Sequence, residues 1–395
     1  MNAPLCCLCR IDDLDADAGF LAQTRRHLHR HPELSFQEAA TAELVAGRLQ
    51  AWGWEVTRGV GGHGVVGTLR MPGSGRSVAL RADMDALPIQ ETSGRPWQSV
   101  HDGVMHACGH DGHTTMLLGA AQQIARTRQF RGTVHLVFQP AEEAGAGSGA
   151  QRMIADGLFE RFPCDAIFGL HNTPGLAAGR FGFGHGPFMS ASDTARITVR
   201  GRGGHAARPH QAVDPVLIAG SLVVALQSVV SRNVDPRQTA IVTVGALHAG
   251  TAANVIPDSA TMALSIRSFD PGVRELLEQR IRALVTAHAA GYGGEAEIDY
   301  ERGYPVVVNT EAETDFARQV AEELVGADQV IAPYPPVTGS EDFAYYLQHR
   351  PGCFFRLGNG EDGAMLHHPK YDFNDAILTT GAAFWTRLVE RYLPA

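Results

Sequence analysis

The sequence has few of the features that mark secreted, membrane-bound or nucleic-acid-binding proteins. Its 395 residues include only six cysteines, and their scatter does not indicate a disulfide framework. The N-terminus lacks a basic stretch followed by an apolar core, and we find no apolar run of membrane-spanning length. The net charge is -9, without a basic block, which argues against nucleic acid and anionic membranes as partners. These absences predict a cytoplasmic protein.

What the chain does have is length, glycine and apolar residues. With 395 residues, 44 of them glycine, and 44% hydrophobic residues, it is too long for one ordinary core and rich in turns. We therefore expect two domains built from alternating strands and helices. Cys6 and Cys9 have the spacing of a redox or metal pair, but the terminal segment offers no second pair of ligands. We interpret that segment as a disordered tail.

The stretch from His106 to His113 is the densest group of metal-ligand residue types in the chain. It holds Cys108 and three histidines, and it leads into a predicted helix that runs from Gly112 to Arg128. A helix N-terminus favours the thiolate form of a nearby cysteine. Taken singly, each residue is better explained as a buried cysteine or an ordinary polar histidine. Together the four indicate a metal site, because no hydrophobic core needs so many ligands.

Three predicted apolar strands end in polar residues of the kinds that bind metals. They end at Asp83 and Asp85, at Glu142 and Glu143, and at His171 with Asn172. Open α/β sheets place their sites at the carboxyl ends of their strands, so we expect these ends to meet near Cys108. Upstream, Ser35 and Glu38 have the spacing of a capping box, which predicts a helix that continues to about Trp52.

From about residue 187 to 303 the order of predicted elements is strand, helix, strand, strand, helix, strand. This order is typical of a ferredoxin-like α+β domain with an edge strand free for pairing. We therefore predict an α/β catalytic domain, residues 1–186 and 304–395, with a mixed sheet flanked by helices. An inserted lid and dimerisation domain, residues 187–303, interrupts it.

The candidate metal ligands are Cys108, His110, Glu143, His171 and one of His367 or His368. Five protein ligands are too many for one catalytic ion with an open position, but they suit two ions that share a bridging group. Two such ions can hold a hydroxide and polarise a carbonyl. Glu142, next to a ligand, is then free to act as general base on the water.

A set of short motifs spans nearly the whole chain. They are Arg81–Pro88, Met105–His113, Gln139–Glu143, Gly169–Asn172, Gly203–His210, Ala253–Pro257, Gly339–Phe343 and His367 with Pro369. In these motifs the sequence resembles the aminoacylase and carboxypeptidase superfamily of metallo-exopeptidases. Within it, the sequence is similar to the branch of hippurate hydrolases, N-acyl-amino-acid amidohydrolases and plant indole-acetyl-amino-acid hydrolases.

The resemblance implies a role for each matching residue. Cys108 would bridge two ions, with His110 and His171 on one and Glu143 and His367 on the other. Glu142 would be the general base. Asp85 would orient a metal ligand. His205 would stabilise the oxyanion, often across a dimer. Asn254 and Arg267 would bind the substrate near its free carboxylate.

The predicted function is therefore hydrolysis of the amide bond of N-acyl or N-aroyl amino acids, small molecules with a free carboxylate. We expect two divalent ions per subunit, zinc or manganese, with metal-bound hydroxide as the nucleophile, and a homodimer formed through the inserted domain. A dipeptidase or small N-acetyl-amino-acid deacetylase with the same metals is the nearer alternative. A non-catalytic binding protein is the remote one, and the presence of Glu142 argues against it.

Some residues keep other interpretations. His113 has the helical spacing of a packing residue that supports the site rather than binding metal. Asp83 has the position of a backbone-turn cap, and Arg267 could form a surface ion pair. His368 stands where the resemblance predicts asparagine or serine, while His367 keeps the ligand position.

Overall fold

The computed structural model describes residues 8–395, which fall into two compact units. Unit 1 comprises Met1–Phe188, Val308–Pro335 and Asp342–Ala395, and unit 2 comprises Met189–Val307 and Pro336–Glu341. The predicted domain division placed the short segment 336–341 in the catalytic domain, whereas the structure places it in unit 2. It joins unit 2 because Arg267 donates to Ser340 Oγ and Ser190 Oγ donates to the carbonyl of Thr338.

The prediction of a disordered N-terminal tail is wrong at Cys9. Cys6 and Cys7 lie outside the described residues. Cys9 is buried, and its backbone N–H donates to Glu390 Oε2 at 2.7 Å. Cys9 also belongs to the main hydrophobic core of unit 1, so the chain is packed at this residue.

Unit 1 is built on an eight-stranded mixed sheet. Its strands, in chain order, are β1 Glu55–Val60, β2 Gly64–Met71, β3 Ser77–Asp83, β4 Gly132–Gln139, β5 Ala166–Pro174, β6 Phe181–Gly182, β15 Val330–Ile331 and β16 Gly352–Gly360. Two further strands, β7 Gly186–Met189 and β14 Val307–Asn309, form a separate two-stranded sheet. The spatial order is β1-β2-β4-β3-β5-β16-β6-β15. The four central strands, β4, β3, β5 and β16, run parallel. Their carboxyl ends therefore lie at one edge of the sheet.

The helices of unit 1 pack their apolar side chains against the sheet and bury it. They are α1 Ala18–Arg30, α2 Ala39–Ala51, α3 His110–Thr127, α4 Gly149–Ala155, α5 Leu158–Arg161, α8 Glu311–Val325, α9 Phe343–Leu347 and α10 Leu378–Tyr392. Helices α3 and α10 pack closely, and Gly119 of α3 leaves no room for a Cβ, which would meet Ala382 at 2.9 Å. The predicted mixed sheet flanked by helices is confirmed.

The predicted capping box at Ser35 and Glu38 is wrong. Helix α2 begins at Ala39, and its first free N–H groups, those of Ala40 and Thr41, donate to the side chain of Glu33. Ser35 and Glu38 instead point toward the ends of β3 and β4. Because Glu33 already satisfies the helix end, these two side chains are available for other partners.

Unit 2 contains four antiparallel strands, β8 Ala191–Arg200, β10 Ala240–Ala249, β12 Ser259–Ser268 and β13 Glu295–Arg302, with helices α6 Pro215–Asn233 and α7 Pro271–Gly291. The order β10-β12-β8-β13 confirms the ferredoxin-like arrangement. Strands β10 and β13 are the edges. The short strands β9 Gly204–His205 and β11 Val255–Ile256 pair beyond the ends of β8 and β12 and extend that ladder.

Helix α6 is more apolar than the sequence reading allowed. By length and composition alone it could cross a membrane, and 33% of its apolar window is buried inside the protein. The prediction that no apolar run reaches membrane-spanning length is wrong by this criterion. One face of α6 packs on the sheet of unit 2 through Ile218, Leu222 and Leu226, while Leu217 and Val224 are exposed.

Candidate metal centre

The candidate centre lies at the carboxyl edge of the parallel strands of unit 1. Strand β5 delivers His171, the turn after β4 delivers Glu142 and Glu143, and α3 begins at His110. Gly109, which separates Cys108 from the helix, has φ 92°, and a Cβ there would lie 2.2 Å from Asn172 Nδ2. Only glycine fits this close approach, so the turn that presents Cys108 depends on it.

The five predicted ligands come together in two groups that share one thiol. Cys108, His110 and His171 form the first group, and Cys108, Glu143 and His367 form the second. Within each group the donor atoms lie within 4.8 Å of one another. Cys108 Sγ is 3.3 Å from His171 Nε2, and His367 Nε2 is 3.3 Å from Glu143 Oε1. A shared thiol between two groups is the geometry that a bridging ligand needs.

The donor set fits divalent metal ions of borderline softness, because it combines thiolate, imidazole and carboxylate. His110 Nε2 is buried and has no hydrogen-bond partner among the described residues. Its other nitrogen, Nδ1, lies 2.9 Å from the carbonyl of Asp85 and 3.2 Å from Asp85 Oδ1. With Nδ1 held as a donor, Nε2 is the nitrogen left to bind an ion, which would displace its proton.

Burial and mutual contact shift the pKa values of these donors. Burial raises the pKa of the Cys108 thiol and lowers that of His171, so the predicted preference for thiolate at the helix N-terminus is outweighed. Burial also acts to lower the pKa of His110, but the charges of Asp83 and Cys108 hold it well above its usual value. Hydrogen bonds to Cys108 and Glu143 raise the pKa of His367 to about 10. Binding of a divalent ion would displace protons from these groups.

A third group of donors, Asp83, His110 and His113, is also close enough to hold an ion. It is a poor metal site, because Arg81 Nη1 donates to Asp83 Oδ2 at 2.6 Å and places a positive charge there. His113 has both ring nitrogens engaged: Nδ1 lies 2.7 Å from Asp83 Oδ1, and Nε2 lies 3.0 Å from the backbone N–H of Asn172. Asp83 thus binds Arg81 and His113, which corrects its interpretation as a turn cap.

The turn that carries Glu142 is held by hydrogen bonds to two buried carboxyl groups, those of Glu38 and Asp85. Ala141 has φ 51°, and Glu142–Ala144 form a single 3₁₀ turn in which Glu142 is buried. The N–H of Ala141 donates to Glu38 Oε1 at 2.8 Å, and the N–H of Glu143 donates to Asp85 Oδ2 at 2.9 Å. Burial raises the pKa of Glu38 to about 7. His110, Glu142 and Glu143 lie close enough to share an ion, so the Glu142 carboxylate reaches the metal donors.

The loop that carries His367 and His368 is held against the Cys108 turn. His367 has φ 63°, and its N–H donates to the carbonyl of Ala107 at 2.8 Å, which ties the loop to the Cys108 turn. Both histidines are exposed, but His367 Nε2 lies 3.3 Å from Glu143 Oε1 and belongs to a donor group. His368 Nδ1 instead accepts from the N–H of Lys370 at 3.1 Å.

Two supporting residues had no assigned role in the sequence analysis. Asn172 Nδ2 donates to the carbonyl of Cys108 at 2.7 Å, and Tyr371 Oη donates to Asn172 Oδ1 at 2.7 Å. These bonds fix the backbone of Cys108 from the side of β5. Asn172 stands directly after His171, so its position was a usable signal, whereas Tyr371 lies in a loop with no pattern that would reveal its contact.

The predicted substrate residues lie in unit 2, but the fold does not bring all of them together. His205 and Asn254 are exposed neighbours, because β9 pairs with β11 and the N–H of Ala206 donates to the carbonyl of Asn254 at 3.1 Å. Arg267 pairs with Ser192 near the other end of β12. From Ser259 to Arg267 the strand spans roughly 27 Å at about 3.4 Å per residue. Asn254 and Arg267 of one chain therefore cannot bind the same small carboxylate, which corrects their joint assignment.

Comparison with known proteins agrees with this geometry. The model of the peptidase family M20/M25/M40 matches residues 79–391. The chain belongs to this family. The predicted superfamily is thereby confirmed, and the protein is a metal-dependent hydrolase of that family. It is 44% identical to the hippurate hydrolase of Campylobacter jejuni, over 95% of this chain and 97% of that protein.

Two further relatives support the same conclusion. The N-acetyl-L-cysteine deacetylase of Bacillus subtilis is 41% identical over 93% of this chain and 87% of that protein. A crystal structure of a dinuclear metal binding peptidase of the M20 family, also from Bacillus subtilis, superposes with a TM-score of 0.82. That match has 34% identity and covers 96% of this chain and 99% of the other.

Proposed function

We propose that this hydrolase cleaves the amide bond of N-acyl or N-aroyl amino acids, releasing a carboxylic acid and a free amino acid. The observation that carries the proposal is the pair of donor groups sharing Cys108, with the Glu142 carboxylate beside them. The 44% identity to a hippurate hydrolase supports an aroyl amino acid as substrate.

The residues would hold two divalent ions, zinc or manganese. Cys108, His110 and His171 would bind one, and Cys108, Glu143 and His367 the other. When bound, the ions would acidify a water molecule and polarise the scissile carbonyl.

Glu142 is the general base in this proposal. It accepts the proton of the attacking water and passes it to the amine nitrogen as the C–N bond breaks, so the amine leaves neutral. Asp85 keeps His110 in the tautomer that presents Nε2, because it accepts from Nδ1.

His205 is proposed to donate to the oxyanion that forms at the attacked carbonyl. The N–H of Ala207 donates to His205 Nδ1 at 3.1 Å, so the neutral ring carries its proton on Nε2 and can donate it. We propose that His205 and Asn254 act in the site of a second copy of the chain, whereas Arg267 acts in its own. Their separation along unit 2 is the support for this division.

A homodimer through unit 2 follows from that division. The edge strand β10 and the exposed face of α6 offer apolar side chains, including Leu217, Val224 and Leu247, which are 57%, 74% and 42% exposed. Exposed apolar surface of this kind is typical of an interface. A mass near twice that of the monomer in light scattering would support the dimer, and a monomer at assay concentration would contradict it.

The test of the activity combines metal analysis with substrate profiling. The metal-loaded protein should cleave benzoyl amino acids faster than N-acetyl amino acids or dipeptides, and a chelator should abolish the activity. Preference for dipeptides or acetyl substrates would favour the alternative, a dipeptidase or deacetylase. In the same assay Glu142→Gln should lower kcat by ~10²–10⁴-fold while metal content stays unchanged. Glu160→Gln, an exposed site on α5, is the matched control.

A further inference from the structure

The segment Glu33–Glu38, which precedes α2, lies along the end of β3 beside the metal donors. Leu34 forms an isolated parallel bridge with Ala86, and the N–H of Ala86 donates to the carbonyl of Glu33 at 2.8 Å. The segment is therefore held next to Asp85. No metal ligand comes from it, yet two of its side chains, Ser35 and Glu38, reach the site.

Glu38 binds the backbone on the N-terminal side of the base. Its Oε1 accepts from the N–H of Ala141 and from the N–H of Phe36, each at 2.8 Å. The side chain is fully buried. Ala141 has φ 51°, a left-handed conformation that is unfavourable for a residue with a Cβ. Such a conformation persists only where neighbouring groups hold it, and the Glu38 oxygen is such a group.

Asp85 binds the backbone on the other side of the base. Its Oδ2 accepts from the N–H of Glu143 at 2.9 Å and from Ser35 Oγ at 2.7 Å. The amide groups immediately before and after Glu142 are thus each bound by a buried carboxyl group. Because the backbone dihedrals of the turn set the direction of the Glu142 side chain, these two hydrogen bonds also set where its carboxylate lies.

A purely local role for Glu38 does not account for its contacts. At the N-terminus of a helix, an acidic side chain would ordinarily accept from the first N–H groups of that helix. In α2 those groups donate to Glu33, at 3.0 Å from Ala40 and 2.7 Å from Thr41. Burying a carboxyl group is unfavourable unless its partners compensate, and the partners of Glu38 are Phe36 and Ala141.

We propose that Glu38 is a positioning residue for the reaction, acting through Ala141 to hold Glu142 where it can take a proton from the attacking water. The inference rests on the proposed function for the role of Glu142. A general base must stay within hydrogen-bond reach of its proton, and a displacement of about 1 Å can lower the rate by ~10²-fold.

The kinetic test compares four variants of the full-length, metal-loaded protein. Glu38→Ala should lower kcat by ~10²-fold with KM nearly unchanged, because the base moves while substrate contacts stay. Glu38→Met fills the same volume without a carboxyl oxygen and should behave alike, even if the alanine variant folds poorly. Glu38→Gln retains an accepting oxygen and should keep kcat within a few-fold. Glu43→Ala, an exposed glutamate on α2, is the matched control and should be normal.

A second readout does not depend on turnover. Amide hydrogen exchange in a peptide covering residues 139–145 should accelerate in Glu38→Ala and Glu38→Met, but not in Glu38→Gln or Glu43→Ala, with metal content equal in all. Unchanged kcat and exchange in both non-accepting variants would overturn the proposal. So would an equal loss in Glu38→Gln, because the accepting oxygen would then not matter. If the wild-type protein cleaves no amide, the proposed function fails, while the exchange result still decides whether Glu38 holds the turn.

Discussion

A buried charge network around Asp111 of α3 gives the most quantitative prediction for the free energy of unfolding. His29 lies between two carboxylates: Nδ1 is 2.9 Å from Asp111 Oδ2, and Nε2 is 3.2 Å from Glu91 Oε1. Arg25 lies 3.8 Å from the same oxygen of Asp111. The perturbation is His29→Gln, which keeps a polar side chain that cannot become charged.

The magnitude follows from the pKa of His29. Burial acts to lower it, but hydrogen bonds to Asp111 and Glu91 outweigh burial and raise it from 6.5 to about 9. A raised pKa means that the folded protein holds the proton more tightly than the unfolded chain. The stabilisation is therefore complete below pH 6.5 and is lost as the pH rises through 9. A difference of about 2.5 pKa units corresponds to roughly 3–4 kcal/mol, at about 1.4 kcal/mol per unit.

The assay is urea unfolding of wild type and His29→Gln from pH 6 to pH 10, followed by tryptophan fluorescence. All four tryptophans, Trp52, Trp54, Trp97 and Trp385, lie in unit 1, so the signal reports the unit that holds the network. The difference in unfolding free energy should be largest near pH 6 and should shrink by roughly 3–4 kcal/mol toward pH 10. A difference that stays constant, or that grows with pH, would refute the reasoning.

Three further predictions concern the candidate site. Cys108→Ala should remove at least one ion per chain in metal analysis, and retention of both ions with full turnover would reduce Cys108 to a core residue. Gly109→Ala should destabilise unit 1 by roughly 2–4 kcal/mol in urea unfolding, because it combines left-handed strain with loss of a buried hydrogen bond from Asn172, and a change under 1 kcal/mol would contradict the described turn. His205→Ala should lower kcat strongly without loss of metal. Mixed with Glu142→Gln, it should regain activity in hybrid dimers, and no recovery after confirmed subunit exchange would place His205 in its own chain's site.

Much of this fold could be predicted because its long elements carry clear periodicity. Apolar residues repeat at helical spacing in α3, α6 and α7, and they alternate with polar residues in the strands of unit 2. Most of the donor residues stand directly at the ends of strands. The two-residue strands β6 and β15 are too short to show any period. The capping box failed because the spacing of Ser35 and Glu38 cannot reveal that Glu33 captures the helix end first. The distance between Asn254 and Arg267 was equally invisible, since it depends on strand register.

Four of the five donors precede unit 2 along the chain and only His367 follows it, and this order has a consequence for biosynthesis. A chain made from its N-terminus contains Cys108, His110 and His171 before any residue of unit 2 is translated, and N-terminal segments generally begin to fold first. His367 emerges only after unit 2 is complete. If the two groups bind metal as proposed, the group of Cys108, His110 and His171 would be available first, and the group that includes His367 would be completed only near the end of translation. Metal loading would then be ordered in time by the genetic order of the ligands.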